Sequence, residues 1–172
     1  MTNVTETFLP PIDEYTEILN RVWEYKWLTN RGELVLELES KIKEVTRSKN
    51  CLAMNNGTIP LQIALKLLAK GGEVITTPFS YVATTSSIVW EGCTPVFVDI
   101  CHCGNMDPNQ LEDAITPRTR AVIPVHLTGR PAEMQAILDI ARRRDLFVLE
   151  DAAQAVGAEL NGKRVGSWGD AA

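Results

Sequence analysis

Between residues 33 and 46 apolar side chains recur every three or four positions, at Leu34, Leu38, Ile42 and Val45. That period predicts an amphipathic helix over Glu33–Thr46. A shorter helix is predicted upstream, starting near Asp13, with Trp23, Tyr25 and Trp27 grouped around its end. From Cys51 onward the pattern changes. Short apolar runs of strand length (Cys51–Met54, Glu73–Thr76, Pro95–Ile100, Ala121–Val125 and Leu146–Glu150) alternate with helical stretches (Pro60–Leu68, Val82–Trp90, Pro108–Ala114 and Pro131–Arg144). Asp107-Pro108 supplies an N-cap followed by proline at the first helical position, and Pro131 is expected to open another helix. Gly71-Gly72 and Gly92 stand where helices should stop. Asn161-Gly162, between Ala158–Leu160 and Lys163–Val165, is a type I′ hairpin signal. Strands and helices alternating at this spacing require crossover connections, hence an α/β fold with a mainly parallel sheet and helices on both faces. The chain divides on this basis into an N-terminal helical segment, 1–50, and an α/β domain, 51–172.

Composition narrows the classes. The 172 residues are 45% hydrophobic and 23% charged, as in a soluble globular chain with one core. The net charge of −5 argues against bulk binding to nucleic acid or anionic membrane. No apolar run reaches the roughly 18–20 residues of a membrane span. The start, MTNVTETFLPPIDE, lacks the basic and apolar regions of a signal peptide, so the cytoplasm is expected and the sequons at Asn3 and Asn56 carry no glycosylation meaning. In such a compartment Cys51, Cys93, Cys101 and Cys103 do not form a disulfide framework. Cys101-His102-Cys103 has zinc-ligand chemistry, but no second pair stands at zinc spacing, and Cys51 and Cys93 sit in apolar stretches that read as core. No metal site is expected.

Ligands of open α/β sheets bind at the carboxyl ends of strands. The first apolar run is followed by Asn55-Asn56-Gly57-Thr58 and then a helix. Glycine, free N–H groups and the Thr58 hydroxyl could cradle a phosphate; an ordinary helix cap uses the same residues. The second is followed by PFSYVATT, where Phe79 or Tyr81 could stack on a flat heterocycle or cover the core. His126 follows the fourth, as a hydrogen-bonded structural residue or a ligand contact. The last runs into Glu150, Asp151 and Gln154. A carboxylate ending a buried strand needs a partner, and a cationic ring nitrogen is one; helix capping is the alternative. Phosphate donors, a stacking ring and a carboxylate, all at strand ends, together fit pyridoxal phosphate, whose phosphate, ring and pyridine nitrogen need those three partners.

At this point the chain resembles the DegT/StrS-type nucleotide-sugar aminotransferases, pyridoxal-phosphate enzymes with the aspartate-aminotransferase fold (fold type I). The resemblance is carried, in order, by WLTNRGELVLELE, NNGTIPLQIALK, VITTPFSYVATTSSIVWEGCTPVFVDI, NMDPNQLEDAITPRTRAVIPVHLTGRPAEM and VLEDAAQAVGAELNGKRVGSWGDAA. It implies that Gly57 and Thr58 bind the cofactor phosphate, that Tyr81 stacks on the ring, that Asp151 partners the pyridine nitrogen and that Gln154 contacts the ring oxygen. Thr29 and Asn30 match the loop bordering the sugar substrate. The implied reaction is transfer of an amino group, commonly from glutamate, to a keto sugar linked to a nucleoside diphosphate, in a homodimer whose sites take residues from both chains.

One departure counts against a complete site. In the family, GDAA is followed within a few residues by a phosphate-binding serine and then by the Schiff-base lysine, whereas this sequence ends at Ala172. Only Lys163 follows Asp151, beside the hairpin turn where a solvated lysine is expected. The 172 residues thus read as the large domain of fold type I, incomplete at its C-terminus and lacking the small domain, and no covalent adduct with the cofactor is expected. The resemblance leaves open a sugar dehydrase using the same cofactor, and a non-catalytic sugar-nucleotide binding or interaction module stands outside it. Trp23, Tyr25, Trp27 and the Leu34/Leu38/Ile42 stripe are expected to lack cover and to promote self-association.

Overall fold

A computed structural model describes residues 6–172. Asn3 and the first part of the stretch tested for a signal peptide lie outside the described residues. Two helices lead, α1 (Ile12–Tyr25) and α2 (Glu33–Thr46). There follow α3 (Thr58–Leu68), β1 (Glu73–Thr76), α4 (Val82–Trp90), β2 (Thr94–Phe97), β3 (Thr119–Val122), α5 (Met134–Arg143), β4 (Phe147–Val148) and the hairpin β5 (Glu159–Leu160) and β6 (Lys163–Arg164).

The strands β2-β1-β3-β4 form one sheet, in that order, with every pairing parallel. Successive strand residues face opposite sides, and the core divides accordingly. Ile75, Val122 and Val148 join Met134, Ile137 and Ala141 of α5 on one face. Val74, Ala121, Ile123 and Leu149 join Leu61 and Leu65 of α3 and Ile88 of α4 on the other. The sheet is covered on both sides, as its central strand β1, buried at every residue, requires. Beyond β4 the chain returns: Leu149 pairs in parallel with Ala171, and Val148 accepts the Asp170 amide at 2.8 Å. Gly169 lies so close to β4 there that a Cβ would run into the Val148 carbonyl. Gly169→Ala should therefore cost about 1–3 kcal/mol through forced backbone displacement. Urea unfolding measures it, and an unchanged midpoint would mean that the segment can move aside.

Several expectations need correction. Cys51–Met54 is not a strand, because no neighbouring chain pairs with it among the described residues; the Ala53 amide is taken instead by Glu39 Oε1 at 3.0 Å. Pro108–Ala114 is two 3₁₀ turns rather than a helix. Pro131 does not open α5, which begins at Met134. Cys51 is half-buried rather than core, whereas Cys93 is buried. Cys101 and Cys103 are disulfide-bonded, against the expectation of no disulfide: the turn closed by Gly104 N–H on the Cys101 carbonyl brings their Cα atoms to 5.2 Å. The Asn161-Gly162 turn forms as expected, with φ of 51° and 80°. Trp23, Trp27 and Leu38 are exposed, while Leu34 and Ile42 are half-buried; none of α1 is buried. No helix among the described residues is long and apolar enough to cross a membrane.

Candidate active site at the carboxyl edge of the sheet

The topology gathers the candidate residues. The chain turns at Gly71-Gly72 from α3 into β1, so α3 runs back along the sheet and starts at its carboxyl edge. The helix α4 starts there too, after the short loop that leaves β1, and α3 packs on α4. Gly57 and Thr58 thus open one helix and Tyr81 immediately precedes the other, while Asp151 follows β4 at the same edge.

Asp151 is fixed from several directions. Its N–H donates to the Pro124 carbonyl at 2.9 Å and its carbonyl accepts the His126 N–H at 3.0 Å, extending the β3–β4 pairing past both strands. Its Oδ2 accepts the hydroxyl of Thr84, a buried residue of α4, at 2.7 Å. Thr84 in turn donates its amide to the Tyr81 carbonyl at 3.1 Å, so two hydrogen bonds join the aromatic loop to the carboxylate. Among the described residues Oδ1 meets only the Ala153 amide, at 3.4 Å, and keeps capacity for a cationic donor. The Tyr81 ring is 71% exposed and does not serve the core. Sequence reasoning missed Thr84; its spacing of three residues from Tyr81, one helical turn, was the available signal.

At the start of α3 both readings of the motif hold, for different residues. Asn56 Oδ1 caps the helix, accepting from Thr58 N and Ile59 N at 3.0 Å each. The Gly57 amide and Thr58 hydroxyl make no hydrogen bond among the described residues. Gly57 has φ −82°, open to any residue, and a Cβ there would meet nothing within 4 Å. Neither conformation nor packing calls for glycine; open space above a helix N-terminus suits a bound anion. Gln154 is exposed, and its Oε1 accepts the Thr128 amide at 2.8 Å, leaving its NH₂ as a donor. The donor set fits pyridoxal phosphate: N–H and O–H groups for the phosphate, an aromatic face, and a carboxylate with a spare oxygen.

Glu150 and His126 do something else. Both are buried. Glu150 Oε2 accepts from His126 Nε2 at 3.0 Å and from the Gly166 amide at 2.9 Å, and Oε1 from the Trp168 and Gly169 amides at 2.7 Å each. His126 Nδ1 accepts the Ala132 amide at 3.0 Å, which fixes the Nε2–H tautomer and makes the ring the donor to Glu150. Burial raises the Glu150 pKa, but the bonds from His126, Gly169 and Gly166 outweigh it and hold the carboxyl below its usual range. Its partner is internal, and His126 has no nitrogen left for a ligand.

Thr29 and Asn30 lie elsewhere, in a cleft of about 410 Å³ at the α1–α2 elbow that Tyr25, Trp27 and Arg31 also line. The Lys163 Nζ sits over the Trp168 ring, 4.7 Å from its centroid, in the hairpin. Among the described residues, no group of three or more His, Cys, Asp or Glu could hold a metal.

A parallel sheet covered on both faces, with helix N-termini and an anchored carboxylate at its carboxyl edge, defines an α/β domain of the ligand-binding kind. The chain belongs to the DegT/DnrJ/EryC1/StrS aminotransferase family, whose pattern matches residues 12–172. It is 45% identical over 163 residues to the dTDP-4-amino-4,6-dideoxy-D-glucose transaminase of Escherichia coli, covering 94% of this chain and 44% of that protein. It superimposes on DesI, solved in the presence of its TDP-sugar product, with a TM-score of 0.86 and 39% identity over 93% of this chain and 41% of that one. Spr1654 of Streptococcus pneumoniae, in its PLP-form, matches with a TM-score of 0.85 and 30% identity over 94% and 45% of the two chains. The chain thus spans less than half the length of the relatives it matches, and its fold is that of sugar aminotransferases.

Proposed function

We propose that this chain forms the pyridoxal-phosphate cradle of an enzyme that transfers an amino group, with glutamate as donor, to a keto sugar linked to a nucleoside diphosphate. The observation that carries the proposal is Asp151, held by Thr84 at the sheet edge that also bears Gly57, Thr58 and Tyr81. Gly57 N–H and the Thr58 hydroxyl bind the phosphate, at the positive end of α3. Tyr81 covers one face of the ring and excludes water from it. The Asp151 carboxylate keeps the ring nitrogen protonated, and the Gln154 NH₂ donates to the ring oxygen. When bound, the cofactor supplies the electron sink on which amino transfer depends. Thr29 and Asn30 border the sugar nucleotide. The exposed aromatic residues of α1 and the elbow fit a homodimer, and the activity belongs to the cytoplasm. The covalent lysine is not assigned to any residue of this chain.

Equilibrium binding of pyridoxamine phosphate, which needs no lysine, tests the cradle. Gly57→Val should fold as the parent does, because a Cβ there meets nothing within 4 Å, and yet bind roughly tenfold more weakly or worse by filling the phosphate space. A parent that does not bind the compound, or a Gly57→Val variant that binds it equally well, overturns the assignment.

A further inference from the structure

We infer that Glu39 is a positioning residue that couples the sugar-nucleotide loop to the phosphate cup, so that the two ligands bind cooperatively; this rests on the function proposed above. Glu39 is the one buried residue of α2, a helix whose apolar side chains Leu36, Leu38 and Val45 stay exposed. A buried carboxylate is costly unless both oxygens are served. Here each oxygen is served by a different segment. Oε2 pairs with Arg31 Nη2 at 3.0 Å, and Oε1 accepts the Ala53 amide at 3.0 Å.

The two partners belong to different segments, the elbow loop and the chain that leads into the cup. Arg31 follows Thr29 and Asn30 in the elbow loop and lines the same cleft; its side chain is 60% exposed, and one of its five donors goes to Glu39. Ala53 lies four residues before Gly57, in a segment that joins no strand among the described residues, and the bond its amide donates to Glu39 restrains the chain entering the cup. An anionic substrate group drawing on Arg31 shifts the ion pair, and the same carboxylate holds the cup. By reciprocity, filling the cup must then favour the elbow by the same factor.

The measurement is the dissociation constant of pyridoxamine phosphate for the 172-residue chain with and without saturating dTDP. In the parent, dTDP should tighten binding about fivefold or more, the lower end of ordinary coupling between sites. Glu39→Gln keeps the shape but turns a donor toward either Arg31 or Ala53, and should bring the ratio to about one. Arg31→Met, which removes the ion pair at a side chain 60% exposed, should do the same, while Lys41→Ala, on the same helix but paired with Glu37, should leave the ratio unchanged. A general loss of stability would weaken both constants together and leave their ratio alone, so the ratio separates positioning from mere support. A parent ratio near one, or a ratio that survives both Glu39→Gln and Arg31→Met, overturns the coupling while leaving the cradle standing. No binding of pyridoxamine phosphate at all overturns the cradle and the coupling with it.

Discussion

Asp151→Asn in the protein carrying this sequence should lower amino transfer roughly 10²–10³-fold, the usual loss when one preorganised electrostatic partner is removed. Asparagine keeps an oxygen to accept the Thr84 hydroxyl, and the backbone bonds of Asp151 to Pro124 and His126 do not involve the side chain. Folding should therefore survive. What is lost is the charge: an amide facing a protonated ring nitrogen neither favours the protonated form nor accepts from it on its NH₂ side. Gln154→Ala should be milder, because it removes a neutral hydrogen bond and the link to the Thr128 amide. Steady-state rates together with thermal melts decide the matter. Unchanged turnover in Asp151→Asn would remove that residue from the site.

Glu150→Ala, one residue earlier, should act on stability rather than chemistry, and strongly. It strips the acceptor from His126 and from the Gly166, Trp168 and Gly169 amides together. Breaking a buried, fully paired carboxylate typically costs about 3–5 kcal/mol. At about 2–4 °C per kcal/mol for a chain of this size, the melting temperature should fall by about 10 °C. The folded-state pKa lies below the ordinary value of 4.5, so the stabilisation is fully present above that pH and is lost as pH falls through the depressed value. Glu150→Gln should start lower and show a flatter acid limb. Melts from about pH 7 down to about pH 3 measure both effects, and a parallel acid limb in Glu150→Gln would show that other carboxyl groups set it.

The contrast between these neighbours was not legible in the residues. Glu150-Asp151 reads as one acidic pair, local chemistry offers a cationic ring to a strand-end carboxylate, and only the resemblance assigns it to Asp151. Alternation along an extended chain sends them to opposite faces. Leu149 and Asp151 share the side of α3 and α4, where Thr84 waits; Glu150 turns to the other side, where His126 and the returning 166–169 segment supply its donors. The partners of Glu150 lie 16 to 24 residues away in sequence, and no spacing rule announces them. The cup shows the converse. Asn56, Gly57 and Thr58 were singled out from local chemistry alone, and only coordinates could divide them into a cap and two open donors.

By itself the sequence determined what local forces decide: helices from their 3.6-residue period, buried strands from unbroken apolar runs, the Asn161-Gly162 hairpin from its left-handed turn, the parallel class from the alternation, and the family from ordered motifs. Tertiary structure decided everything that depends on a distant partner. Cys51–Met54 has strand character but no ladder to join, and a strand exists only through its neighbour's hydrogen bonds. Pro131 has the residue type of a helix start, yet the chain spends residues 131–133 reaching the sheet face before α5 can bury Met134 and Ile137. Thr84, Glu39, His126 and Glu150 lie within the quoted motifs, but nothing local names their partners. Their roles exist because folding brings a hydroxyl to Asp151, and a guanidinium and an imidazole to the buried Glu39 and Glu150, whose carboxylates would otherwise be costly.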